Sequence, residues 1–108
     1  MESNKEQKEK NVPEAASAIV ARTVLSIPGV ASLSEAPPIH NGVFMTNIFG
    51  KMDVDIYLDV YYGSNIPEIS WNVQVRTKAA LHDEAGIDPD HINIHIEGVD
   101  FSNECKSD

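Results

Sequence analysis

His91 and His95, with Asn93 between them and Glu97 beyond, recur at every second position of one stretch, and Asp53, Asp55 and Asp59 recur in the same way in another. Alternation of this kind puts each set on one side of an extended strand. Imidazoles and carboxylates that share an exposed surface can ligate zinc or another divalent ion, so a metal- or ligand-responsive regulatory module built on the His91/His95 face is one reading of the chain. Strand geometry argues against it. Positions i and i+4 lie roughly 13 Å apart along a strand, too far for the two rings to grip one ion by themselves. No residue is therefore assigned as a metal ligand, and a wet sheet face accounts for the same polar alternation.

Other chemistry has less to stand on. Cys105 is the one cysteine, set in a polar C-terminal stretch with no thiolate-activating pattern around it, and the serines lack a histidine and carboxylate in a recognisable arrangement. General acid–base work by Asp53, Asp55 or Asp59 would need a pocket that shifts their pKa values, which an open sheet face does not supply. No catalytic and no cofactor-binding residue is assigned, and the chain is expected not to be an enzyme. An RNA-binding sandwich of the KH kind needs a glycine-flanked phosphate clamp and a basic surface. Neither is present: eight Lys and Arg stand against seventeen Asp and Glu, a formal charge of −9. That charge repels phosphate backbones and anionic lipid headgroups, so nucleic acid and direct membrane insertion are both set aside. No stretch approaches the ~20 apolar residues of a membrane span, and the first residues lack the apolar core of a signal peptide.

The elements that would position these residues follow from periodicity. Residues 1–11, nearly devoid of apolar side chains, are expected to be a solvated tail. Asn11 can cap a helix in which Pro13 occupies the first turn, and Val12, Ala15, Ala16, Ile19, Val20, Thr23, Val24 and Ile27 fall along one face until Pro28-Gly29 stops it. Val30 to Ser34 is expected to be a short strand, and Pro37-Pro38 breaks the chain before a short extended segment around Val43-Phe44-Met45. From Met52 to Tyr62 alternate residues, Met52, Val54, Ile56, Leu58, Val60 and Tyr62, point inward. A second helix opens at Ile66-Pro67-Glu68 behind Asn65 or Ser64 and ends by Ala85-Gly86. At about 100° per residue, Ile66, Ile69, Val73, Thr77, Ala80 and Leu81 form its core face. The last strand turns Ile92, Ile94 and Ile96 inward. The expected fold is a two-layer α+β sandwich in α-β-β-β-α-β order, two helices on one antiparallel or mixed sheet, spanning residues 12–101 and followed by a polar tail at 102–108.

The run Ile27-Pro28-Gly29-Val30, the strand ending Val60-Tyr61-Tyr62-Gly63, the helix opened by Asn65-Ile66-Pro67-Glu68 and containing Val73-Gln74, Ala85-Gly86-Ile87, and the closing Ile92 to Phe101 occur in an order and spacing that resembles the alkaline shock protein family, small general and cell-envelope stress proteins of Gram-positive bacteria. The resemblance covers about three quarters of the chain; it departs between Glu35 and Lys51, where the family's hairpin is more regular. It implies a non-enzymatic, cytoplasmic protein that forms homo-oligomers or docks on a protein partner, such as a membrane anchor of the cell envelope through which it would reach the membrane.

One stripe breaks the amphipathic pattern. Trp71, Val75 and Ala79 fall on the side of the second helix opposite its core face, where a helix packed on a sheet is ordinarily polar. Trp71 and Val75 are the first candidate partner-binding residues, because exposed aromatic anchors are enriched at interfaces. The alternative is that Trp71 folds over the edge of its own sheet or under the Glu35–Lys51 segment. Tyr57 and Tyr61, outward on their strand, are a second candidate surface.

Overall fold

The computed structural model describes residues 14–34 and 42–102. Its elements run α1 (Glu14–Leu25), β1 (Val30–Leu33), β2 (Val43–Ile48), β3 (Lys51–Tyr61), α2 (Ile66–Ala85) and β4 (His91–Asp100), the expected α+β order. The proposed Asn11 cap, Val12, Pro13, the Pro37-Pro38 break and most of both tails lie outside the described residues.

β3 is the centre of the sheet. Its long alternating pattern buries Met52, Val54, Ile56, Leu58 and Val60 against the helices and leaves every intervening residue partly open to solvent. β2 pairs antiparallel with its first half, Val43 opposite Ile56 through Ile48 opposite Lys51. β1 pairs antiparallel with its second half, Val30 opposite Val60 and Leu33 opposite Leu58. The two short strands therefore share one side of β3 end to end. At the junction between them the Tyr57 backbone bonds both ways, its N–H to Gly42 O at 2.7 Å and its C=O from Ser34 N–H at 2.9 Å. On the other side β4 runs parallel to β3, as a strand–helix–strand crossover requires, so the sheet is mixed.

The segment that departs from the family pattern forms a regular hairpin once it enters β2. Phe49 and Gly50 are its two turn residues and both have positive φ, 51° and 82°, as a type I′ hairpin requires. Glycine takes that conformation freely; Phe49 does so as an aromatic side chain that is 99% exposed.

α2 is fixed at both ends by the residues the sequence indicates. Asn65 Oδ1 accepts from Glu68 N–H at 3.1 Å, Pro67 sits in the first turn, and Gly86 adopts φ 68° while its N–H and that of Ile87 close on His82 O and Leu81 O. Ile69, Val73, Thr77 and Leu81 are buried, one per turn, and meet Ala16, Val20 and Val24 of α1 and Ile27 beyond it. Full burial of side chains such as Val73 or Leu81 contributes about 1.5–3 kcal/mol each.

Several expected core positions differ. Ala15 is exposed and Thr23 only half-buried, because α1 contacts the sheet and α2 along a narrower stripe than its apolar residues suggest. Ile66 is 41% exposed, since it opens α2 before the helix reaches the sheet. Tyr62 lies past the end of β3, where it stacks on Phe101 with ring centroids 4.8 Å apart and stays exposed. Ile92, Ile94 and Ile96 face the helices but are half-buried, because β4 lies at the margin of the helical layer.

Candidate functional site

The helices cover one face of the sheet, and the other carries the polar rows read from the sequence. Parallel registration of β3 and β4 sets Asp53 beside His91, Asp55 beside Asn93 and Tyr57 beside His95. His91 Nδ1 lies 3.1 Å from Asp53 Oδ1. Asp55 Oδ1 accepts from Asn93 Nδ2 at 3.1 Å and lies 3.0 Å from His95 Nε2. The His95 ring in turn stacks on Tyr57, centroids 4.3 Å apart and planes 9° from parallel. Beyond this, the extra residue Glu97 forms a bulge, and Gly98 faces Asp59 so closely that an added Cβ would stand 3.2 Å from Asp59 Oδ1.

His91 and His95 thus pair with different carboxylates, and among the described residues no group of three or more His, Cys, Asp or Glu is arranged to hold a metal ion. Grooves lie between the helices beside Arg22, Arg76 and Glu84, beside Gly29 and Asn65, and at the hairpin tip; none of these is lined by Asp53, Asp55, His91 or His95. Arg22 and Glu84 themselves join the two helices by a 2.6 Å ion pair. The titratable groups whose chemistry is displaced lie elsewhere: Asp88, hydrogen-bonded to His82 Nδ1 at 2.7 Å, raises the His82 pKa at the C-terminal end of α2, and hydrogen bonds from Ser102 lower that of Asp100.

The other candidate surface is on α2. Trp71 is 64% exposed and Val75 45%, both on the side turned from the Ile69–Leu81 stripe. Trp71 is not folded away. Tyr57 and Tyr61 sit on the sheet face opposite the described helices and are half-buried, Tyr57 by its stack on His95. Two further groups stand outside the sequence-derived candidates. Gln74 Nε2 donates to Ile92 O at 2.9 Å, tying α2 to β4, and the exposed Ile48-Phe49 pair crowns the hairpin. An apolar dipeptide directly before Gly50 was the available signal for the second; nothing local marks the first.

A family model described as the alkaline shock protein 23 family, cell envelope-related function, matches residues 1–101. The uncharacterized protein Spy1535 of Streptococcus pyogenes serotype M6 is 36% identical over 62 residues, covering 56% of this chain and 48% of that protein. The uncharacterized protein YloU of Bacillus subtilis is 28% identical over 75 residues, covering 69% of this chain and 62% of YloU. The chain therefore spans about half to three-fifths of the length of these curated relatives. Among solved structures, two variants of MamM CTD superpose with a TM-score of 0.59 at 16% and 17% identity, covering 79% of this chain and 93% and 94% of theirs. At that identity the likeness is one of fold.

Proposed function

This chain belongs to the alkaline shock protein 23 family, whose described function is cell envelope-related, and we propose that it acts there as a non-enzymatic interaction protein, by self-association or by docking on a protein partner. The observation that carries the proposal is the exposure of Trp71 and Val75 on the solvent side of α2, where a helix that only covers its own sheet would be polar. A protruding aromatic ring beside an aliphatic side chain is the kind of anchor that fills a pocket on a partner and excludes water around it. Tyr57 and Tyr61, on the face opposite the described helices, offer a second surface. With a formal charge of −9, the partner is a protein rather than nucleic acid or a bare anionic bilayer. Among the described residues no helix is long and apolar enough to cross a membrane. A membrane-anchored envelope protein contacted from the cytoplasm fits this reading.

Trp71 is the only tryptophan, so its fluorescence reports on that surface directly. Its emission at high dilution should be that of a solvated indole and should shift to shorter wavelength, with reduced acrylamide quenching, as protein concentration rises. Emission and quenching that do not change over a thousandfold range of concentration would rule out self-association through α2.

A further inference from the structure

We propose that the open edge of β4 pairs antiparallel with β4 of a second copy, in a register centred on Ile94. The inference rests on the self-association reading above and specifies its geometry.

The direction of the backbone groups follows from β3. Odd-numbered β3 residues bond toward β1 and β2: Tyr57 N–H to Gly42 O, Tyr57 O from Ser34 N–H, and Tyr61 N–H to Gly29 O. Even-numbered residues must then bond toward β4, as the Tyr62 N–H to Asp100 O bond does. In a parallel ladder with Val54 opposite Ile92 and Ile56 opposite Ile94, those bonds go to His91, Asn93 and His95. The N–H and C=O groups of Ile92, Ile94 and Ile96 therefore point out of the sheet. Gln74, reaching the Ile92 carbonyl from α2, agrees with that direction.

Among the described residues β3 is the one strand paired with β4, which leaves a ten-residue edge without proline or lysine, the residues that ordinarily blunt such edges. A twofold axis through Ile94 makes this edge complementary to itself. Ile94 faces Ile94 and Ile92 faces Ile96, each as a hydrogen-bonded pair in which the Ile92 carbonyl uses its second lone pair beside the Gln74 amide, so the half-buried isoleucines of one copy cover those of the other. On the face opposite the described helices Asn93 meets His95, and His91, whose Nδ1 is turned to Asp53, offers its other nitrogen to Glu97 of the second copy. A register one step along, centred on His95, sets like against like at the centre and Ile92 against Gly98. The Glu97 bulge ends the ladder where the complementary pairs end. The same contact accounts for where Trp71 stands: it lies three residues before Gln74, and so on the adjacent turn of the flank of α2 that reaches this edge.

The test uses the full chain with Cys105→Ser. N93C and H95C, made as separate proteins and mixed, should form a disulfide-linked heterodimer under mild oxidation, at least about tenfold above either homodimer, because only the mixed pair lies directly opposite in this register. I94P removes one edge-facing N–H, which a proline on an edge strand can lack without breaking the sheet. It should raise the dimer dissociation constant about tenfold or more while circular dichroism stays that of the parent. A chain that is monomeric at every concentration, or a dimer that gives no mixed cross-link, overturns the pairing. Loss of the dimer in W71S, together with no mixed cross-link, would overturn the β4 geometry while the α2 reading stands. Should I94P fail to fold, the cross-link ratio decides alone.

Discussion

The His95 imidazole lies flat against Tyr57, 4.3 Å between ring centres, while its Nε2 stands 3.0 Å from Asp55 Oδ1. Three residues from two strands, with His95 forty positions from Asp55 in the chain, thus lock the register of the parallel pair on the open face. Replacing His95 by alanine removes the stack and the Asp55 contact together. We expect a loss of about 0.5–1 kcal/mol in urea unfolding, with no change in the denaturant dependence.

Gly29 and Gly63 separate sterics from backbone strain. Both have large positive φ, 99° and 88°, but a Cβ at Gly29 would stand 2.5 Å from Ile69 Cδ1 whereas one at Gly63 meets nothing among the described residues within 4 Å. Gly63→Ala should cost about 1 kcal/mol from conformation alone. Gly29→Ala should cost more, about 2–4 kcal/mol, because the buried Ile69 side chain must also be displaced from its packed rotamer. Equal losses in the two variants would contradict this packing.

Thr77 sits on the buried stripe of α2, and among the described residues its Oγ1 has no hydrogen-bond partner. Valine has the same shape and no oxygen to desolvate. Thr77→Val should be neutral to stabilising, by up to about 1–2 kcal/mol, as read from thermal or chemical unfolding.

His82 supplies a pH dependence. Its pKa is raised in the folded protein, first by the hydrogen bond to Asp88 and then by that carboxylate's charge. Protonated His82 therefore favours the fold. That contribution is fully present below the ordinary histidine value of about 6.5 and is lost as pH rises through the raised value. Asp88→Asn should return the His82 titration, followed by NMR, toward the ordinary value and flatten the stability profile above it.

Much of this was legible locally. The alternation from Met52 to Val60 and the Asn65 and Gly86 caps of α2 each depend on neighbours in sequence, and each stands where periodicity and capping chemistry indicate. Exposure of Trp71 and Val75 follows from the same helical arithmetic. What was not legible depends on tertiary registration. Neither the pairing of His91 with Asp53 nor the stack of His95 on Tyr57 can be read before the offset between β3 and β4 is known. The half-burial of Ile92, Ile94 and Ile96 reflects how far the helical layer extends, which no property of β4 determines. The regular pairing of β2 was obscured by Phe49, an aromatic in a turn position that ordinarily favours Gly, Asn or Asp.

The proposal that this chain self-associates through the exposed flank of α2 is tested most directly by its solution mass. Light scattering after size exclusion, over a concentration series for the parent and for Trp71→Ser, should show a concentration-dependent oligomer whose dissociation constant rises about tenfold or more in the variant. An oligomer of unchanged affinity in Trp71→Ser, or a monomer at every concentration in both proteins, would contradict it.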